Sequence, residues 1–378
     1  MKLLFTGDIM PGGVLPYCNR FIDNYLLSMM GNYDLKISTL ECALGENNGQ
    51  FDPIKMNDKT KQNIVFIRKE DLLRLKIMNI NVVSLANNHA MDCGVEGLDA
   101  MIKTLSELGI KYVGAGKNLE EAKRPVIIET GDKTISIIAF QLKDVQKPWC
   151  YYPSGDKSSG IFYTSMKDLL LYIKELKKLY DFLILMPHWG EEHQYLPSNL
   201  FKEYARRMLE AGADCIIGSH PHIINPVVSF SGKKCYFSLG NFLFPEKCMQ
   251  VPRPMYYPET KEEYLSLKRF WTYPKSITEP IVAVWKPKNR IGMMVEVDVE
   301  NGLNSKYHLT CLTADNVLHR YSSKLVRIRM AFWAMLMHMP KYGFVRKVYN
   351  HRYNIVRRLV DRLPAFNIPV QYAEEYRS

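Results

Sequence analysis

The sequence lacks any segment of the kind that targets a chain or anchors it in a membrane. The residues before Gly7 and Asp8 are too few to form the apolar region of a secretory signal. The longest apolar stretch toward the other end, 330–339, is about half the length that a membrane-spanning helix needs. We therefore expect a cytoplasmic protein.

Paired cysteine motifs are also missing. The chain of 378 residues has eight cysteines at wide, unequal intervals, and none of them form the Cys-x-x-Cys spacing of a zinc or redox site. The sequence contains no internal repeat and no recognisable RNA-binding or DNA-binding module. We expect reduced, mostly buried thiols, and we do not expect nucleic acid as a partner.

The composition is that of a folded chain with an uneven charge distribution. Apolar residues make up 47% and charged residues 24%, which is typical of a globular protein with a sizeable core. The formal net charge is +11, and from residue 320 onward there are twelve basic residues and three acidic ones. This tail is either a solvated helical hairpin packed on the main domain or a surface that contacts an anionic membrane or polymer.

Short apolar runs alternate with helical patterns through the first 240 residues, which predicts a layered α/β domain. We predict strands at 2–6, 34–40, 81–86, 125–129, 134–140, 182–186, 215–217, 234–239, 293–299 and 307–312. We predict helices at 69–79, 94–109, 166–180 and 199–211. Seven prolines and many aromatic residues between 245 and 287 predict an irregular segment there.

Polar residues recur at the carboxyl ends of the predicted strands, which is where α/β folds place their chemistry. They are Asp8, Glu41, Asn88 with its neighbours Asn87 and His89, His188, His220 and His222. Taken singly, each has an ordinary structural explanation, such as a turn at Asp8 or a helix cap at 87–89. Taken together, oxygen and imidazole donors without thiolates favour a site for Mn, Fe or Zn ions.

The same motifs, in the same order, resemble a known family. They are GDIM (7–10), TLECAL (39–44), SLANNHAMDCGVEGL (84–98), MPHWGEE (186–192), IIGSHPHIINPV (216–227) and CYFSLGNFLF (235–244). The set resembles the capsule-synthesis CapA family, associated with poly-γ-glutamate production and itself similar to calcineurin-like metallophosphoesterases. The resemblance covers roughly 1–245 and the strands near 290–312, and it implies a four-layer α/β/β/α sandwich. With the irregular insertion at 245–290 this gives a domain over 1–313. The basic, mainly helical tail at 314–378 has no counterpart in the family.

The resemblance also implies roles for individual residues. One or two divalent ions would be held, the first by Asp8 and His222 and the second by Asn88, His188 and His220, with Glu41 bridging them. His89 would protonate the leaving oxygen, and Asp92 would orient its ring. Asn87, Glu192 and Asn241 would support these groups by hydrogen bonds. Met10 stands where phosphoesterases have a histidine, so the first ion would have one imidazole fewer.

Three functional hypotheses follow from these expectations. The first is a metal-dependent phosphoesterase that acts on a phosphorylated or anionic, polymer-related substrate. The second is an accessory subunit of capsule or poly-γ-glutamate synthesis, brought to the polymer or to the inner membrane face by its basic tail. The third is a metal-assisted γ-glutamyl amide hydrolase or transferase.

Overall fold

The computed structural model describes residues 1–47, 63–145, 153–250, 254–271 and 279–350. Two seven-stranded mixed sheets form its centre. The first sheet contains β1 (Lys2–Ile9), β2 (Leu35–Leu40), β5 (Val82–Ser84), β6 (Lys111–Val113), β19 (Ile291–Asp298), β20 (Asn304–Leu312) and β21 (Leu318–Tyr321). The second contains β8 (Val126–Thr130), β9 (Lys133–Leu142), β11 (Tyr163–Thr164), β12 (Phe182–Pro187), β13 (Cys215–Ile217), β14 (Val227–Phe230) and β15 (Lys233–Tyr236).

Smaller elements surround these sheets. Two-stranded pairs are formed by β3 (Ala43–Leu44) with β4 (Phe66–Ile67), and by β7 (Ala115–Gly116) with β10 (Gly160–Ile161). A three-stranded sheet contains β16 (Lys247–Met249), β17 (Lys268–Phe270) and β18 (Ile281–Ala283). The α-helices span Asn24–Met30, Leu73–Ile77, Gly94–Glu107, Leu119–Lys123, Met166–Leu179, Asn199–Ala211, Lys261–Ser266, Lys324–His338 and 342–350. Short 3-10 helices span Leu15–Tyr17, Lys69–Leu72 and Pro287–Arg290.

The alternation of apolar residues along β1 explains why the sheets stack. Leu3 and Phe5 join the core that is shared with the second sheet, whereas Leu4 faces the other way, into the core beneath the helix Gly94–Glu107. The helices Met166–Leu179 and Asn199–Ala211 pack against β12 and β13 of the second sheet. The layers therefore run helix, sheet, sheet, helix, and the four-layer α/β/β/α expectation is confirmed.

Each of the ten segments predicted as strands contains a strand in the structure. The helix at 94–109 ends as expected, because Gly109 adopts a positive φ of 68° directly after its last turn. Seven cysteines lie in the described ranges as free thiols, and five of them are buried. Within those ranges, no helix has both the length and the apolarity to span a lipid bilayer.

The structure differs from expectation in the segment at 245–290 and in the tail. The segment expected to be irregular contains the strands β16, β17 and β18, which are only three residues long and give no readable alternation. The tail expected to be helical from 314 first contributes β21, which pairs with β20 and buries Leu318. Helix follows from Lys324, and the remaining tail, 351–378, lies outside the described residues.

A buried ion triad connects the segment at 245–290 to the main domain. The carboxylate of Glu246 is fully buried and lies 2.7 Å from Arg269 Nη1 and 2.5 Å from Arg290 Nη2. Arg269 belongs to β17, while Arg290 ends the 3-10 helix that leads into β19 of the first sheet. The triad thus holds the three-stranded sheet against the body of the protein.

We expect Glu246→Gln to lower the free energy of unfolding by about 3 kcal/mol, because it leaves two largely buried guanidinium groups without their counter-charge. Urea denaturation measures this change. The matched control is Glu203→Gln, which removes an exposed ion pair with Arg206 and should cost less than about 1 kcal/mol. Equal losses in the two variants would contradict the structural role of the triad.

Candidate metal centre

The two sheets meet at the carboxyl ends of their parallel strands. The main chain of Asp8, at the end of β1, pairs with the loop after β15: its N–H donates to Gly240 O at 3.0 Å, and its carbonyl accepts from Phe242 N at 2.9 Å. Glu41 directly follows β2, and its N–H donates to Ile9 O at 2.9 Å. Residues from both sheets are therefore brought to one point.

The structure brings the predicted ligands together in two groups that share one carboxylate. The ligand atoms of Glu41, His188 and His220 lie within 4.8 Å of one another, and so do those of Asp8, Glu41 and His222. Glu41 Oε1 lies 3.4 Å from His188 Nε2 and 3.6 Å from His222 Nε2. All five side chains are buried.

Asn88 adjoins the first of these groups. Its Oδ1 lies 2.7 Å from His188 Nε2, so the amide oxygen is a neighbour of that imidazole. The family resemblance implies that both are ligands of one ion. The assignment of these atoms to two ions stays a prediction.

The loop after β13 is held in an unusual backbone conformation. His220 and His222 have φ values of 101° and 56°, in the region that side chains other than glycine rarely adopt. Pro221 stands between them, and the N–H of His220 donates to Asp8 Oδ2 at 3.3 Å. Backbone strain of this kind is concentrated at functional sites, where the surrounding structure maintains it.

Hydrogen bonds fix the orientation of two imidazoles. Ser219 Oγ lies 2.9 Å from His188 Nδ1, and Asn241 Oδ1 lies 2.9 Å from His222 Nδ1. Each ring is thereby held with its Nε2 toward Glu41, which is how metal-ligating histidines are usually held. Asn241 was expected to support the loop that carries His220, and the residue of that loop to which it bonds is His222. Ser219 was not expected.

The electrostatics of the cluster suit a divalent cation. Burial lowers the pKa of His220 to about 3 and lowers that of His222 as well, so both rings are neutral, as a metal ligand must be. Burial and the neighbouring charge of Glu41 raise the pKa of Asp8, because two carboxylates are confined there with little water. A bound cation would relieve that repulsion.

Two buried polar atoms without hydrogen-bond partners also favour a cation site. Asp8 Oδ1 and His220 Nδ1 are buried, and neither has a hydrogen-bond partner among the residues that the structure describes. Buried polar atoms without partners are rare and need an explanation. Carboxylate, amide and imidazole donors without thiolates fit Mn, Fe or Zn, so the residues present fit the ions that the sequence predicted.

His89 lies beside this cluster and is held by an acid. Its Nδ1 is 2.6 Å from Asp92 Oδ2, which also accepts from Val65 N at 2.8 Å. Asn87 steadies the same loop, because its Oδ1 accepts from His89 N at 2.9 Å and its Nδ2 donates to Leu40 O at 2.8 Å. The expected pairing of His89 with Asp92 is present in the structure.

A cavity of about 270 Å³ opens beside the cluster. His89 and His222 line one side of it, and the exposed carboxylate of Glu192 is also part of its wall. The rest of the wall includes residues that the sequence patterns did not reveal, namely Phe244, Lys247, Trp271, Trp285, Lys286, Lys288 and Asn289. A hint was present in the sequence, since Trp285, Lys286 and Lys288 are close neighbours in a segment rich in proline and aromatic residues.

The chain matches a family of known proteins over most of its length. Residues 2–246 match the family described as "Bacterial capsule synthesis protein PGA_cap". The PGA biosynthesis protein CapA of Bacillus subtilis (strain 168) is 34% identical over 179 residues, which cover 47% of this chain and 46% of that protein. The capsule biosynthesis protein CapA of Bacillus anthracis is 29% identical over 255 residues, covering 65% of this chain and 60% of that protein. The chain thus spans about half of these relatives.

Solved structures are more distantly similar. A putative 5'-nucleotidase from Staphylococcus aureus is 15% identical with a TM-score of 0.42, covering 88% of this chain and 58% of that one. A phosphatase from Mycoplasma pneumoniae is 14% identical with a TM-score of 0.43, covering 87% of this chain and 98% of that one.

We expect Glu41→Gln to weaken the binding of both metal ions, because the two ligand groups share this carboxylate. His222→Ala should remove one ion and leave the other. Calorimetric titration of chelator-treated protein with Mn²⁺ measures the number of sites. Glu203→Gln, at an exposed position on the helix Asn199–Ala211, is the matched control and should retain wild-type binding. Loss of a single ion in Glu41→Gln would contradict the shared role.

Proposed function

Because the chain belongs to the bacterial capsule synthesis (PGA_cap) family, we propose that it takes part in making an anionic surface polymer through a metal-dependent phosphoesterase site. The polymer is poly-γ-glutamate or a capsular polysaccharide, and the substrate is a phosphorylated or anionic compound related to it. The observation that carries this proposal is the buried carboxylate of Glu41, shared by two groups of ligands beside the His89–Asp92 pair.

The proposed ligands form two sets, which follow the two groups of neighbouring ligand atoms in the structure. Asp8, Glu41 and His222 would hold one divalent ion, and Glu41, Asn88, His188 and His220 would hold the other. Bound ions of this kind supply positive charge that stabilises the oxygens of a phosphoryl group and makes water more acidic. We propose Mn, Fe or Zn on the chemistry of the donors.

His89 is proposed as the proton donor. In hydrolysis a water oxygen bonds to phosphorus while the bond between phosphorus and the leaving oxygen breaks, and the leaving oxygen must gain a proton. Asp92 engages Nδ1 of His89, so Nε2 is the ring nitrogen that passes a proton to a ligand in the cavity. Asp92 also stabilises the protonated ring and keeps its orientation.

We expect His89→Gln to lower kcat by about 10²-fold or more on an alkyl phosphate diester, because the alkoxide leaving group needs the proton. The loss should be much smaller on bis(p-nitrophenyl) phosphate, since nitrophenolate leaves readily without protonation. Steady-state assays with Mn²⁺ measure both substrates. Equal losses would contradict the role of His89 as proton donor.

His220→Ala should abolish hydrolysis of both diesters, whereas His319→Gln, on the edge strand β21 of the first sheet, should retain it. A parallel assay with a γ-linked glutamate oligomer tests the alternative of γ-glutamyl amide hydrolysis or transfer. We include this alternative because one relative is named as a PGA biosynthesis protein. Amide cleavage without phosphate release would replace the phosphoesterase proposal. Inactivity on every substrate would favour an accessory role.

An accessory role at an anionic membrane surface is the second candidate, and the helix Lys324–His338 favours it. Val326, Met330 and Trp333 bury one face of this helix against the body of the protein. On another face, apolar side chains spaced three or four residues apart are exposed by 42% to 74% of their area. They are Leu325, Ile328, Phe332, Met335 and Met339.

The charges near this stripe favour lipid over protein as its partner. Residues 322–350 contain six Lys and Arg and no Asp or Glu. Lys324 and Arg327 are exposed beside the stripe. A second copy of the chain would bring like charges together, whereas anionic lipid headgroups match the basic residues and accept the apolar ones.

We expect wild-type protein to sediment with vesicles rich in phosphatidylglycerol and not with purely phosphatidylcholine vesicles. Joint substitution of Leu325→Ser, Ile328→Ser and Phe332→Ser should weaken this binding by about tenfold or more, because apolar insertion is lost. The control is Leu171→Ser with Leu179→Ser, two exposed leucines on another helix. Unchanged sedimentation of the triple variant would contradict membrane contact by this face.

A further inference from the structure

We propose that the cavity beside the ligand cluster binds a second anionic group of the substrate through Lys247, Lys286 and Lys288. The site would then prefer a chain carrying several carboxylates or phosphates over a simple monoester. This inference rests on the proposed function, since it assumes that the ligand cluster takes the first anionic group.

Two kinds of side chain line the cavity. His89 and the proposed ligand His222 line it together with Lys247, Lys286 and Lys288. Its volume of about 270 Å³ is close to the lower end of the ~300–1,000 Å³ range of small-molecule sites. A ligand larger than one phosphate group therefore fits and reaches both kinds of side chain.

Lys247 is an unusual lysine because it is only 7% exposed. It begins β16, and its ammonium lies 5.5 Å from the ring centre of Phe244 and 5.7 Å from that of Trp285. Burying an ammonium is costly, and aromatic faces recover part of that cost. Because Lys247 lines the cavity, its positive charge adds to the potential that an anion meets there.

Lys288 and Asn289 fix the position of the lysine-bearing segment relative to the ligand cluster. Lys288 Nζ donates to His193 O at 3.1 Å and lies 5.5 Å from the ring centre of Tyr195. Asn289 Nδ2 donates to His222 O at 3.0 Å. The same amide lies 3.0 Å from His193 Nδ1. The lysines are therefore held at a set distance from a proposed metal ligand.

The balance of charge along the cavity favours an anion. Of the described residues that line it, three are lysines and one, Glu192, carries a carboxylate. The carboxylate of Glu246, adjacent in sequence to Lys247, is turned away into its ion triad with Arg269 and Arg290. Lysines act as point charges and impose no planar geometry, so either a carboxylate or a phosphate would be accepted.

The test uses full-length protein purified without chelators, so that the ligand cluster keeps the ions it binds. Calorimetry at low salt compares three probes, namely orthophosphate, tripolyphosphate and a γ-linked glutamate trimer. We expect wild-type protein to bind at least one of the two polyanions more than about tenfold more tightly than orthophosphate. The preferred polyanion identifies whether the second group is a phosphate or a carboxylate.

Lys247→Met and Lys286→Met, tested separately, should each lower the affinity for the preferred polyanion by about tenfold. Lys247→Arg should restore most of the lost affinity. Lys174→Met, an exposed lysine on the helix Met166–Leu179, is the control and should bind as wild type. Because Lys247 is buried, the Lys286 variant keeps the test decisive if the Lys247 variant fails to fold.

The outcomes separate this inference from the proposed function. Polyanion binding that depends on the lysines supports the inference even if no phosphate ester is hydrolysed, in which case only the phosphoesterase proposal fails. Unchanged polyanion affinity in Lys286→Met and in folded Lys247→Met overturns the inference, whether or not hydrolysis is observed. Equal affinity of wild-type protein for orthophosphate and both polyanions overturns it as well.

Discussion

The placement of the Glu41 carboxylate is the constraint on which the proposed centre depends. It is fully buried, and its Oε1 lies between His188 Nε2 and His222 Nε2 at 3.4 and 3.6 Å. Two strands from different sheets must end at the same point for this to happen, and the main-chain bonds of Asp8 to the loop after β15 achieve it. A buried carboxylate flanked by two buried imidazoles is a poor arrangement for stability alone and a good one for cations.

Much of this centre could be predicted from the sequence. The ligands follow apolar runs that are easily recognised as strands, and parallel strands bring their carboxyl ends to one edge. This clustering depends on local pattern and on general rules of topology, so a single sequence reveals it. The roles of the individual ligands and the pairing of His89 with Asp92 were implied by the family resemblance, and the pairing is present in the structure at 2.6 Å.

The cavity wall could not be predicted in the same way. Lys247 lies on a strand of three residues that is held by its pairing with β18 and by the neighbouring Glu246 triad, not by any local pattern. Ser219 was not predicted, because a serine next to two histidines forms no recognisable sequence motif. The positions of Lys247 and Ser219 depend on contacts between residues that are distant in sequence. The periodicity of apolar residues contains no information about such contacts.

The most direct test of the centre is anomalous diffraction from crystals of protein purified without chelators. We predict two anomalous peaks that share Glu41, one also contacting Asp8 and His222 and the other contacting Asn88, His188 and His220. Absence of any peak in this cluster, or a single ion bound elsewhere in the molecule, would contradict it.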